Sequence, residues 1–106
     1  MMTHDEWVQK GIERFGENKM EWRFKCPSCE YVASMRDYKE AGAPVGAVAF
    51  SCIGRWKLAQ QEAFTEGLKK GTAPCNYTGG GLFNINPILV IDDDGEEHSM
   101  FEFAEV

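Results

Sequence analysis

Apolar and polar positions change their period several times along this chain, and each change marks an element. Trp7, Val8, Ile12 and Phe15 recur at helical intervals. Thr3 and Glu6 have the spacing of a capping box, so a helix is predicted over about residues 4–15, ended by Gly16. Gly11 inside it costs roughly 1 kcal/mol relative to alanine, so the helix must dock its aromatic stripe on the rest of the protein. The period then drops to two. Glu21-Trp22-Arg23-Phe24-Lys25 alternates polar and aromatic residues up to Cys26, and β-favouring Tyr31-Val32-Ala33 follows Cys29. Two short strands joined by a turn are predicted there. Ser34, with Asp37 three residues on, opens a short helix through Ala41; Gly42 supplies a left-handed cap and Pro44 bars continuation.

The second half reads less regularly. Val45 to Phe50 is a short apolar run bounded by Pro44 and containing Gly46, which favours a buried strand ending at Cys52. Trp56, Ala59, Gln60, Ala63, Phe64, Gly67 and Leu68 fall on one helical face, predicting a helix over about 56–69 that ends near Gly71. Pro74-Cys75 and Gly79-Gly80-Gly81 belong to a loop. Apolar segments Leu82–Ile91 and Ser99–Phe103 flank Asp92-Asp93-Asp94-Gly95, a strong turn signal. An acidic C-terminal β-hairpin over about 82–104 is expected, with Pro87 at a strand start or edge. The order predicts an α+β fold in one domain spanning 1–106.

Charge alters this picture at one end. Of 17 acidic residues, seven (Asp92, Asp93, Asp94, Glu96, Glu97, Glu102 and Glu105) lie beyond residue 91, where there is no Lys or Arg. The other ten face all 11 basic residues in 1–91, so the body is near neutral and the net −6 resides in the tail. That end should repel phosphate backbones and suit a basic partner surface. The N-terminal Met-Met-Thr-His-Asp-Glu lacks the basic and apolar regions of a signal peptide, and no run of eighteen apolar residues occurs. A cytoplasmic location is expected, where thiols stay reduced.

The chemistry-bearing residues are Cys26, Cys29, Cys52 and Cys75, one set of thiolates for a tetrahedral ion. The Cys26-Pro27-Ser28-Cys29 turn is a favourable two-sulfur unit. Cys52 and Cys75 arrive singly, each after an interval of 22 residues (52 − 29 − 1 and 75 − 52 − 1), long enough for the chain to return to the same point. One structural zinc ion per chain is the reading, in a zinc-stapled domain whose cysteine turn forms a zinc-knuckle hairpin. The alternatives are a site of three cysteines completed by His or water, and buried or free thiols without metal. Lys25 and Arg55 are candidates to offset the negative charge of four thiolates. His4, in the helix cap, and His98, in the hairpin, read as exposed polar residues.

Other chemistries lack their patterns. The glycine run precedes a strand and has no phosphate-loop spacing, and the acids at 92–94 are consecutive rather than alternating as in a calcium loop. A redox Cys-x-x-Cys would open a helix, whereas a strand follows this one. The His-x-Glu that precedes Pro-Cys-x-x-Cys in zinc deaminases is missing.

Phe24-Lys25-Cys26-Pro27-Ser28-Cys29, the run Ala41-Gly42-Ala43-Pro44 through Ala47-Val48-Ala49-Phe50-Ser51-Cys52-Ile53-Gly54-Arg55, and Pro74-Cys75-Asn76-Tyr77 with Gly80-Gly81-Leu82-Phe83 and Asn86-Pro87 resemble a small uncharacterised family encoded by bacteria and their phages. The resemblance spans roughly residues 22–104. It implies a phage or prophage setting and a cysteine-bound metal, and supplies no catalytic residue. The leading expectation is an accessory protein, not an enzyme, that binds a protein partner through its acidic hairpin and exposed aromatics. The alternative is a nucleic-acid-binding zinc module using Lys19, Arg23, Lys25, Arg36 and Lys39 beside Trp22 and Tyr31, although acids are interleaved with these bases. A metal- or thiol-dependent enzyme is the third reading, requiring an open coordination position or a reactive thiol.

Overall fold

The computed structural model describes residues 1–58 and 61–105. Two small sheets and two helices make up its regular part, an α+β arrangement. Strand β1 (Met2–Thr3) leads directly into helix α1 (His4–Phe15). The capping box forms as the sequence predicts: Glu6 N–H donates to Thr3 Oγ1 (3.2 Å) and Thr3 N–H to the Glu6 carboxylate (3.0 Å). Gly16, at φ 92°, closes the helix with its N–H on the Ile12 carbonyl.

Strands β2 (Arg23–Lys25) and β3 (Val32–Ser34) form the expected antiparallel hairpin around the Cys26–Cys29 turn. Ser34 then caps α2 (Met35–Glu40), again with a reciprocal box through Asp37. Strands β4 (Ile88–Ile91) and β5 (Glu97–Met100) pair across the acidic turn, where Gly95 takes φ 81°. β1 runs parallel to β4, giving the order β1-β4-β5. After one residue, Phe101, the chain crosses to the other sheet as β6 (Glu102–Phe103), which pairs with β2 in the order β3-β2-β6.

Aromatic side chains join α1 to the knuckle sheet. Trp7 stacks on Phe103 (5.3 Å between centroids) and lies nearly parallel to Phe24 (6.2 Å), while Trp22 meets Trp7 edge-on at 5.5 Å. The Trp22 indole N–H donates to the Gly16 carbonyl. Gly11 allows this approach, since an added Cβ would lie 2.6 Å from the Trp22 ring. The glycine that weakens the isolated helix is therefore the point where it docks.

Three expectations are corrected. Val45–Phe50 is not a strand: Val45–Ala47 forms a single 3-10 turn, and Ala49 sits in the left-handed region at φ 59°. Six apolar residues cannot separate a strand from a tightly coiled turn by period. The helix expected over 56–69 does not form among the described residues, and Ala59 and Gln60 of that stretch lie outside them. Phe64 (φ 63°) and Gly67 (φ 80°) are left-handed, and side chains take over the backbone bonding. Gln61 accepts from Lys69 N–H (2.6 Å) and donates to the Lys69 and Ala73 carbonyls (2.9 Å each), while Ala63 N–H donates to Asn76 Oδ1. The hairpin is also shorter than its apolar pattern. Leu82 and Phe83 are exposed, and the first strand begins only after Pro87.

Candidate metal centre

All four cysteines are buried, at 0–1% exposure, and none is in a disulfide. Their sulfurs lie within 4.8 Å of one another. The Cys26–Cys75 and Cys29–Cys52 Sγ separations are 3.9 and 3.8 Å. Four sulfurs bonded at about 2.3 Å to one tetrahedral ion are about 3.8 Å apart, so the cluster has the dimensions of a four-thiolate zinc site. The donor set and its spacing therefore fit a metal, and the structure brings together all four residues the spacing singled out.

Two half-sites face each other. In the first, Cys26 N–H donates to the Tyr31 carbonyl (3.1 Å) and Glu30 N–H to the Cys26 carbonyl (2.8 Å). The turn requires φ 59° at Glu30, a left-handed conformation that glycine adopts with least strain. In the second, Cys52 N–H donates to the Tyr77 carbonyl (2.8 Å), and neighbouring Ser51 bridges Thr78, their hydroxyls 2.7 Å apart. The Tyr38 hydroxyl donates to the Ser51 carbonyl (2.7 Å), tying α2 to this loop. Gly71 N–H reaches the Cys29 carbonyl at 2.6 Å, linking the halves.

Backbone amides bias the sulfurs toward thiolate. The Tyr77 N–H, two residues after Cys75, donates to its sulfur at 3.4 Å, and the amides of Tyr31 and Gly54, two residues after Cys29 and Cys52, bias those thiols in the same direction. Such bonds favour thiolate over thiol. Among the sulfurs themselves, hydrogen bonds from Cys26 and then Cys52 lower the Cys29 pKa to about 7. Those from Cys26, Cys29 and Cys52 lower Cys75 as well. Cys26 is raised by Cys29, Cys52 and Cys75. Cys52 is lowered by Cys26 but raised by Cys29, Cys75 and burial, ending above the ordinary thiol value. The four thiols titrate as one coupled set, and a bound cation would favour release of their protons.

The surrounding residues were only partly legible. Arg55 Nη1 donates to the Asn76 carbonyl (3.0 Å), spanning the Cys52 and Cys75 loops. Lys25 pairs with Glu102 at 4.0 Å. Gly54 is a site residue that spacing did not reveal: an added Cβ would collide with the Cys75 carbonyl oxygen. His4 and His98 are exposed and away from the sulfurs. His98 Nε2 instead meets Asp92 Oδ2 at 2.8 Å. Asp92 Oδ1 accepts from the N–H groups of Asp94 and Glu96, both at 2.9 Å, so this carboxylate closes the hairpin turn. Trp22, one of the aromatics available to a nucleic-acid reading, is fully buried and offers no face to a base.

A fold with four clustered cysteines defines a small α+β protein carrying a possible metal site. The chain belongs to the VVA0879-like family, whose model matches residues 3–104. No curated protein and no solved structure matches it. Among the described residues, no helix is long and apolar enough to cross a membrane.

Proposed function

We propose that this protein is a zinc-stabilised accessory module that works by binding a protein partner, in a bacterial or phage setting. The observation that carries the metal part is the buried set of Cys26, Cys29, Cys52 and Cys75, with separations of 3.8–3.9 Å across two of its edges. Four thiolates on one zinc ion leave no coordination position for a substrate, which favours a structural role over an enzymatic one. Two features favour a protein partner over nucleic acid. The acidic turn of the β4–β5 hairpin repels phosphate, and Arg36 and Lys25 near the knuckle already pair with Glu21 and Glu102. The phage setting rests on the sequence resemblance alone.

Native mass spectrometry of protein purified without added metal or chelator tests the metal part. One zinc per chain is the expected mass, with all four thiols resisting alkylation until chelator is added; a metal-free chain with alkylatable thiols would overturn it. Affinity capture with the zinc-loaded chain, followed by reconstitution from purified components, tests the partner part. A stoichiometric complex with a purified protein is expected, whereas tighter retention of nucleic acid, lost steeply with salt, would move the alternative forward.

A further inference from the structure

A groove of about 500 Å³ runs between the start of α1, the Val45–Phe50 segment and the β4–β5 sheet. Its apolar lining comes from Trp7, Val48, Phe50, Val90 and Met100, with Val45 at 86% exposure also lining it. Asp92 and Glu97 supply its acidic residues and His4 and His98 its imidazoles, with no Lys or Arg in the lining among the described residues; His98 already meets Asp92 at 2.8 Å, so Glu97 is the lining carboxylate that a basic segment would meet. Between Asp92 and Glu97 in the chain lie Asp93, Asp94 and Glu96. All four residues of β5 border the groove, and β5 is the outer strand of its sheet. No strand lies along its outer side among the described residues, although Asn86 Nδ2 donates to the Ser99 carbonyl (3.2 Å) and the Phe101 N–H just beyond β5 to the Ala49 carbonyl (2.6 Å), which leaves the Glu97 end of the edge the more open. An apolar channel beside a partly open edge is the geometry that receives an extended peptide.

We infer that this groove binds an extended segment of a partner protein in which apolar side chains alternate with Lys or Arg. The segment lies along β5, its apolar side chains filling the channel and its cations meeting Glu97 and the acidic turn. This deepens the protein-binding reading and rests on it. The Phe64–Phe83 surface is the competing face, with the two rings edge-on at 5.8 Å, but it carries no comparable charge signal.

The test is a nitrogen-15 NMR titration of the zinc-loaded chain with acetyl-Lys-Val-Lys-Ile-Lys-Val-amide and with its counterpart bearing Glu for Lys. The basic peptide should shift Val48, Val90 and Glu97–Met100 and bind more weakly as salt rises from about 0.05 to 0.5 M. The acidic peptide should leave these signals unmoved. Val45→Lys with Glu97→Lys changes two exposed positions, so the fold should survive, and it should weaken binding roughly tenfold. Equal binding of both peptides, unchanged affinity in the double variant, or no shifts at all would overturn the groove. Shifts confined to Phe64 and Phe83 would overturn it while leaving the protein-binding reading intact. Concentration-dependent shifts at β5 without peptide would assign the edge to a second copy and overturn it too. The partner capture described above succeeds or fails independently of these outcomes.

Discussion

At the scale of single residues, the four-cysteine cluster depends on positions that carry no metal-binding chemistry. Gly54 lets the Cys52 turn lie against the Cys75 carbonyl. Gly54→Ala should separate the two ligand loops and reduce zinc affinity by at least as much as losing an orienting neighbour, roughly 10- to 100-fold. Competition with a chromophoric chelator would measure this. Cys75→Ser should go further and match the chelated wild type in melting temperature. Glu30 makes the opposite case. Its left-handed backbone costs roughly 1–2 kcal/mol, while its exposed pair with Lys70 at 3.2 Å returns little. In a Lys70→Ala background, where the pair is already gone, Glu30→Gly should stabilise the zinc-loaded protein in urea denaturation by up to about 1 kcal/mol, the relief of about 1–2 kcal/mol of left-handed strain being offset in part by the added entropy of the unfolded chain. The four sulfurs were legible because cysteine spacing is a chemical signal. Gly54 was not, since a glycine's role depends on what packs against it.

At the scale of elements, legibility followed how local each element's bonding is. The helix α1, the knuckle hairpin and α2 carry their caps and turns within a few residues, so their patterns were sufficient. The stretch 61–73 is held by Gln61 and Asn76, whose side chains bond backbone groups 8 to 13 residues away. Its apolar spacing imitates a helix, but that spacing contains no information about these distant competitors. The Gly11 reading shows the same limit from the other side. Propensity alone says Gly11→Ala gains roughly 1 kcal/mol, yet a Cβ there would lie 2.6 Å from the Trp22 ring. The variant should be destabilised by about 1–3 kcal/mol through overpacking, read by thermal or urea unfolding.

At the scale of the whole molecule, the two sheets are separate ladders, and between β5 and β6 the chain passes from one to the other through a single buried residue. Phe101 lies between β5 and β6, its N–H donates to the Ala49 carbonyl (2.6 Å), and its ring packs 6.0 Å from that of Tyr77, two residues after Cys75. Disturbance at the metal centre therefore has a short route to both sheets. Chelation should abolish slow amide exchange in β4–β5 together with β2–β3, because ligand binding and folding are coupled. Persistence of protection in β4–β5 alone would mean that the sheets are independent units.

The pairing of β1 with β4, and of β2 with β6, also bears on the order of events during synthesis. Early strands must wait for late ones, and neither sheet can close until residues 88–103 have left the ribosome. By then all four cysteines have emerged. The nascent chain thus presents its complete set of thiols before the strands that finish the fold, making thiol protection, and under the zinc proposal metal supply, concerns of translation as much as of the finished protein.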